Sequence, residues 1–391
     1  ISGKAKLLYI APESLFKEEI SQLLSSVKVS CFTIDEAHCI SEWGHDFRPE
    51  YRKLILIKEK LKDVCCIALT ATATPRVQDD IMSSLKFVKG NKFIASFNRE
   101  NLLIRVEKKY DPFVQTLDFL NRHKNESGII YCFSRKQVDE LSMMLNSVGY
   151  QTKPYHAGLE DATRSRNQEQ FINDDVQIIV ATIAFGMGIN KSNVRFVLHY
   201  DLPKNLESYY QEIGRAGRDG LEAECLLLFS YGDIQKINYL IAQKENERER
   251  YIAAMHLNEM VKYAETELCR RIPLITYFGE KFDEEYCGMC DTCLSSEKEY
   301  HDVTIAAQKF FSCVKRTGEL FGANHIIDVL HGSANQKILS YNHQTLSTYG
   351  IGKEYSKKQW QHLARQFVIK GFLNQSMEFG SLKLNETANE V

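Results

Sequence analysis

Three clusters in this 391-residue chain combine residue types and spacings that chemistry requires. The first is Asp35-Glu36-Ala37-His38, which follows the apolar run Cys31–Ile34. Such a run reads as a buried strand, and open α/β sheets bind their ligands at the carboxyl ends of strands. An Asp there suits a divalent cation, and an adjacent Glu suits the orientation or deprotonation of an attacking water. The plainer reading of the dipeptide is an acidic pair opening an exposed helix. The second cluster is Gln211-Glu212-Ile213-Gly214-Arg215-Ala216-Gly217-Arg218. On a helix Gln211, Arg215 and Arg218 share one face. Two planar guanidiniums on that face suit the charge that develops on a phosphate during hydrolysis. A solvated basic face explains the arginines but not the glycines, each of which costs about 1 kcal/mol in a helix. The third cluster is Cys287-Gly288-Met289-Cys290-Asp291-Thr292-Cys293, with Cys269 upstream. Four thiolates suit a closed, tetrahedral structural zinc site, with a redox dithiol or a chance grouping as the alternatives.

Directly after His38 comes Cys39-Ile40-Ser41-Glu42-Trp43-Gly44-His45-Asp46-Phe47-Arg48-Pro49-Glu50. Trp43, Phe47 and Arg48 on a loop marked by Gly and Pro suit stacking on unpaired bases and contact with phosphate. A buried aromatic loop between lobes accounts for the same residues equally well.

Elements must position these groups. Near-continuous apolar runs at 7–10, 31–34, 66–69, 93–97, 128–132, 176–180, 194–199 and 223–229 alternate with helical patterns. One such pattern holds Val138, Leu141, Met144 and Leu145. This alternation predicts parallel sheets covered on both faces, assembled as two doubly wound α/β lobes. The lobe boundary is expected within 98–110, with lobe 1 over 1–98 and lobe 2 over 99–231. Residues 236–278 are helix-forming and charged, and lead into the cysteine knot; 232–297 is read as a helical zinc-binding domain. The remainder, 298–391, ends in a helix with Ser356 and Gln359 as a capping box. That helix carries Trp360, Leu363, Ala364, Phe367 and Val368 on one face and ends at Gly371. Two short strand-like runs, 372–375 and 382–384, flank a turn at Gly380. Helix then hairpin is the pattern of a winged helix.

The bulk composition agrees with a globular chain of several domains. Hydrophobic residues make up 44% and charged residues 26%, and no apolar run approaches the length of a membrane span. The net charge of −2 does not by itself mark a nucleic-acid binder, although a local basic stripe would suffice. Eleven cysteines, an odd count with four clustered, point to a reduced, cytosolic chain with a metal site. Most of the other seven cysteines are expected in cores.

Asp35-Glu36-Ala37-His38 followed by the Trp-Gly-His-Asp-Phe-Arg loop resembles the RecQ family of superfamily 2 DNA helicases, in its bacterial form. Leu69-Thr70-Ala71-Thr72-Ala73 resembles the third helicase motif. Ile130-Tyr131-Cys132-Phe133-Ser134-Arg135 and Tyr155-His156-Ala157-Gly158-Leu159 resemble second-lobe motifs. Val180-Ala181-Thr182 through Phe185-Gly186-Met187-Gly188-Ile189-Asn190-Lys191 resembles the fifth motif, and the Gln211 to Arg218 run the sixth. The resemblance implies two RecA-like lobes, a zinc module that holds a helical platform to the motor, and a winged helix that meets duplex DNA. It implies ATP and Mg²⁺ held by Asp35, Glu36, Arg215 and Arg218, with Arg218 as arginine finger, Arg215 its partner and Gln211 beside them. It further implies His38 as a link between nucleotide and DNA, single-strand contact by Trp43, Phe47 and Arg48, and structural zinc on Cys269, Cys287, Cys290 and Cys293. It carries 3′ to 5′ polarity, forked or duplex DNA as substrate, and a role in repair and recombination in the bacterial cytosol.

The phosphate-cradling pattern Gly-x-x-x-x-Gly-Lys-Ser/Thr is expected before the Asp-Glu strand. Ser2-Gly3-Lys4 and Gly350-Ile351-Gly352-Lys353 resemble it only superficially. The first lobe is therefore expected to be incomplete, and the chain inactive as an ATPase on its own. Lys353, Lys357, Lys358, Arg365 and Lys370 surround the last helix, opposed only by Glu354; of these Lys357 and Lys358 are the expected duplex contacts, and a solubilising face is the alternative. Two other functions fit parts of the pattern. One is a non-enzymatic DNA-binding protein, the other a translocase that remodels protein–DNA complexes without unwinding.

Overall fold

A computed structural model describes residues 6–61, 63–87, 90–186, 189–295, 302–376 and 380–390, without the side chains of 369, 389 and 390. The chain divides into two compact units, 1–294 and 295–391. Ser2, Gly3, Lys4, Met187 and Gly188 lie outside the described residues.

In the first lobe β1 (Cys31–Ile34) and β2 (Cys65–Ala68) pair in parallel, Cys31 opposite Cys65 and Ile34 opposite Ala68. Leu15, Ile34, Leu54, Ile57, Val77, Ile81 and Leu85 close a small core around them. The runs at 7–10 and 93–97 are not strands. Leu7, Leu8, Tyr9 and Phe93 are exposed, so these apolar stretches lack the paired neighbour that makes such a run a strand. Cys31 and Cys65 are exposed too, whereas Cys39, Cys132, Cys225 and Cys313 are buried in cores as expected.

The second lobe is a six-stranded, wholly parallel sheet in the order β3-β8-β7-β4-β6-β5, where β3 is Leu102–Lys108, β4 Ser127–Tyr131, β5 Thr152–Tyr155, β6 Ile178–Ala181, β7 Val194–His199 and β8 Ala223–Phe229. Alternate residues serve opposite faces. Ile129, Tyr131, Ile179, Val197 and Leu227 pack with Phe171, Tyr209 and Ile213 on one side. Ile130, Ile178, Val180, Leu198 and Leu226 pack with Phe119, Val138, Leu141 and Leu145 on the other. Both faces are buried, which is why these strands read as unbroken apolar runs.

Two of the strands did not read that way. β3 falls inside the stretch taken as the lobe boundary; its Arg105, Glu107 and Lys108 break the apolar signal. β5 contains Lys153 and Pro154 and stands at the edge of the sheet, where a missing N–H is tolerated.

After β8 come helices Tyr231–Ala242, Glu247–Glu265 and Arg271–Tyr277, then the cysteine knot and a short helix Asp291–Leu294. The second unit has helices Thr304–Arg316, Ala323–Leu330 and Lys357–Ile369, followed by the antiparallel hairpin β9 (Leu373–Gln375) and β10 (Leu382–Leu384). Ser356 and Gln359 form the capping box, Trp360, Ala364 and Phe367 are buried, and Gly371 is left-handed just past the helix end. The Gly350 to Lys353 turn is a packing element: Gly350 N and Gly352 N donate to the carbonyls of Val329 and Leu330, and Gly352 O accepts from Trp360 Nε1 at 2.7 Å.

Two predictions come from this packing. A Cβ on Gly128 would lie 2.1 Å from the Phe196 ring across β4 and β7, so Gly128→Ala should cost about 1–3 kcal/mol by overpacking, read as a lower urea midpoint. In the winged helix His325 Nε2 and His343 Nδ1 share a hydrogen bond at 2.8 Å. Burial, then the neighbouring His343, pushes His325 down to about 4, while an unfolded His titrates near 6.5. The unfolded state binds the proton first, so this unit should lose stability as pH falls from 6.5 toward 4. Hydrogen exchange along Ala323–Leu330 should accelerate over that window, and His325→Gln should flatten the dependence.

Candidate functional site

The first-lobe site is a turn built on β1. Leu69 N donates to Ile34 O and Ala37 N to Leu69 O, both at 2.8 Å, so the segment after β2 clamps the residues after β1. Glu36 sits between them in the left-handed region, at φ 50°. A non-glycine residue held there is strained by about 1–3 kcal/mol, a cost that recurs at functional positions. Burial, and then the charge of Asp35, raises the Glu36 carboxyl above its ordinary range. His38 is buried and burial pushes it down to about 4, so it is neutral. Its Nδ1 lies 3.0 Å from Thr70 Oγ1 and 3.3 Å from Glu36 Oε2, and its ring stacks on His45 at 4.3 Å.

The aromatic loop is held by charge. Arg48 donates twice to Asp46 Oδ2, at 3.0 and 2.7 Å. Arg52 lies over the Phe47 ring at 5.3 Å and pairs with Glu42 at 3.0 Å. Over Trp43 lie Arg76 at 3.1 Å and Arg248 at 5.9 Å. Neither arginine carried a signal in the sequence, since they are far from Trp43 along the chain and belong to no motif.

The expectation of one helical face for Gln211, Arg215 and Arg218 is corrected here. The helix Leu206–Ile213 stops before Gly214, and Gly217 is left-handed at φ 57°. A Cβ on Gly217 would lie 2.4 Å from Asn101 Nδ2. Gly214 keeps helical dihedrals and Gly217 turns the chain, so both arginines stand in turns past the helix end. Arg215 Nη1 donates to Gly186 O at 2.5 Å, and Arg218 Nη1 donates to Ile189 O at 2.9 Å. Gln211, still on the helix, donates to Thr72 Oγ1 at 3.0 Å and ties the second lobe to the first. Arg215 also lowers the Glu36 carboxyl electrostatically, against the two raising influences. The buried Nε of Arg215 has no hydrogen-bond partner among the described residues.

The loop 214–221 rests on residues 99–101. Arg99 donates to the carbonyls of Ala216 and Gly217, and Asn101 to those of Gly217 and Leu221. From the other side Arg271 donates to the carbonyls of Arg99, Glu100 and Leu102 and to Asn98 Oδ1.

The four sulfur atoms of Cys269, Cys287, Cys290 and Cys293 all lie within 4.8 Å of one another. Cys287 and Cys293 Sγ are 3.9 Å apart. A tetrahedron with metal–sulfur bonds of about 2.3 Å has edges of about 3.8 Å, so the set fits zinc. Cys269 enters from the helical side and the other three from the knot. Beside it, Asp291 is gripped by Arg270 through Nε and Nη2 at 2.8 and 2.9 Å. The knot runs along the open side of β3: Ile104 N donates to Met289 O at 3.2 Å, and Val106 N to Asp291 Oδ2 at 3.0 Å.

In the winged helix the basic face is opposed by more than Glu354. Lys357 pairs with Asp328 at 2.5 Å and Lys309 pairs with Glu354 at 2.7 Å, while Lys358 is exposed. Of the two expected duplex contacts, Lys357 is engaged within its own domain.

Stripping metal from the four-cysteine site, or Cys287→Ser, should release one zinc per chain to a colorimetric chelator. Amide exchange at Ile104 and Val106 should accelerate with it, because their acceptors are in the knot.

Four family profiles tile the chain: DEAD/DEAH box helicase over 1–81, helicase conserved C-terminal domain over 108–220, RecQ zinc-binding over 231–294 and RQC domain over 297–391. Curated proteins named ATP-dependent DNA helicase RecQ align along it. That of Haemophilus influenzae is 46% identical over 393 positions, covering 100% of this chain and 63% of the relative. That of Pasteurella multocida is 44% identical, covering 100% and 62%. That of Bacillus subtilis is 44% identical, covering 96% and 63%. The chain thus spans less than two thirds of the length of these relatives. Two α/β lobes, a four-thiol knot and a winged helix, in the order of the four matching profiles, make this chain a member of the RecQ helicase family.

Proposed function

We propose that the chain belongs to an ATP-dependent DNA helicase that moves 3′ to 5′ on a single strand and opens forked or duplex DNA, in repair and recombination in the bacterial cytosol. The relatives carry the helicase name, and the supporting geometry is a run of contacts in the first lobe that reaches the second through one hydrogen bond. His38 meets Thr70 Oγ1 at 3.0 Å, Thr72 N donates to the same oxygen at 3.3 Å, and Gln211 donates to Thr72 Oγ1 at 3.0 Å. This run joins the acidic turn of the first lobe to the arginine loop of the second, so a change on one side is felt on the other.

MgATP, when bound, supplies the phosphoryl group and the cation that screens it. Asp35 would hold that cation. Glu36, with its carboxyl raised by burial and by Asp35, is suited to take a proton from the attacking water. Arg218, with Arg215 as its partner, would meet the charge on the leaving phosphates. Gln211 holds the two lobes in register. Trp43, Phe47 and Arg48 would receive the single strand. Lys357 and Lys358 would meet duplex phosphates, Lys357 only by exchanging Asp328 for a phosphate.

The test is DNA-stimulated ATP hydrolysis by a chain extended to the length of the relatives and carrying a phosphate-cradling loop. Arg218→Ala should lower turnover by about three to five orders of magnitude while oligo-dT binding persists. Glu36→Gln should abolish hydrolysis with nucleotide binding retained. If Arg215→Ala is crippled and Arg218→Ala is not, the finger is Arg215. If the extended parent shows no DNA-stimulated hydrolysis, the motor reading fails.

A further inference from the structure

Trp43 is offered above as a platform for an unpaired base, yet its ring is already covered. The Arg76 guanidinium carbon lies 3.1 Å from the ring centroid, and that of Arg248 lies 5.9 Å from it. Arg76 stands in the first turn of the helix Pro75–Ser84 of the first lobe. Arg248 stands in the first turn of Glu247–Glu265, the long helix of the zinc module. Arg248 also pairs with Glu42, the residue before Trp43, at 2.9 Å. Glu42 in turn holds Arg52, whose guanidinium lies over Phe47.

We infer that Arg248 and Arg76 act as place-holders on Trp43, positioning residues that keep the aromatic loop masked until a base of single-stranded DNA displaces them. This rests on the proposed role of Trp43 in DNA contact. A guanidinium over one face of an indole and a nucleobase stacked on that face exclude each other, and Arg76 at 3.1 Å leaves no room for a base on its face. The exchange is balanced by design of the contacts. The Arg248 side chain is 62% exposed, so its ion pair with Glu42 is screened and weak, and a strand can break it. Once displaced, two cations remain beside the strand where its phosphates pass, so the release is compensated by new ion pairs. Through Glu42 the zinc module thereby reports on the first lobe's loop, a connection separate from the knot's contact with β3.

Acrylamide quenching of tryptophan fluorescence tests this without DNA. The chain has two tryptophans, and Trp360 is fully buried, so the quenchable signal belongs to Trp43; Trp43→Phe confirms the assignment. Arg248→Gln and Arg76→Gln should each raise quenching in the DNA-free chain. Each should also tighten binding of a fluorescent oligo-dT by about three- to tenfold, since the base no longer competes with the guanidinium. Arg248→Lys should restore the ion pair but not the stacking, and fall between. Unchanged quenching in both Gln variants overturns the masking. Raised quenching with weaker oligo-dT binding also overturns it, and makes the arginines direct phosphate contacts. If oligo-dT binds the parent chain but leaves the intrinsic emission of Trp43 unaltered, the loop is not the base platform, and the DNA role proposed for Trp43 fails as well.

Discussion

The seam along residues 98–102 and β3 is the constraint on which the rest of this molecule depends. A strand at the edge of a sheet has backbone groups that must find partners or water. Here the knot supplies acceptors to the N–H groups of Ile104 and Val106, and Arg271 takes the carbonyls of Arg99, Glu100 and Leu102. The same few residues, through Arg99 and Asn101, hold the carbonyls of the arginine loop. One stretch of backbone therefore has the four-thiol module on one side and the arginine loop on the other. The Arg270–Asp291 pair secures it. Arg270 is buried and Asp291 half-buried, so removing the carboxylate leaves a buried guanidinium uncompensated, at a cost of about 1–3 kcal/mol.

The path from the acidic turn to the second lobe is a short chain of polar contacts, of which only the last, Gln211 to Thr72, crosses between lobes. Thr70, Thr72 and Gln211 are small or uncharged, and each link is a single hydrogen bond worth about 0.5–1.5 kcal/mol. Links of that size can be made and broken by a ligand with modest preference for one arrangement. The acidic turn itself is rigid by contrast. The two backbone bonds through Leu69 fix Glu36 in its left-handed conformation, so the strain is held by the two strands and not by any ligand.

Much of this was legible in the residues. The sheet strands with both faces buried stood out, as did the thiol knot and the capped helix ending at Gly371, because each rests on local chemistry. Gly214 and Gly217 imply a close approach to a helix that carries Gln211, Arg215 and Arg218; the approach is there, Gly217 against Asn101, but the helix ends at Ile213 and Gly217 turns the chain in the left-handed region. β3 and β5 were missed because an edge strand has one side open, and charged residues or a proline cost little there. Arg76 and Arg248 were missed because stacking on Trp43 joins residues far apart in sequence, which no local pattern encodes. The apolar runs at 7–10 and 93–97 misled for the converse reason, since hydrophobicity gives a strand only when a neighbour accepts its hydrogen bonds.

The two edges of the six-stranded sheet are guarded by different means. β5 ends the sheet with Lys153 and Pro154, a charge and a missing donor that refuse a further strand. β3, seven residues long, carries charges at Arg105, Glu107 and Lys108, and at Ile104 and Val106 it relies on the knot to occupy it. Its protection from strand-to-strand association with another copy is therefore borrowed from a metal site. Oxidation of the thiols would then do more than loosen one module, because it would uncover a sticky edge and turn a redox injury into a cause of aggregation.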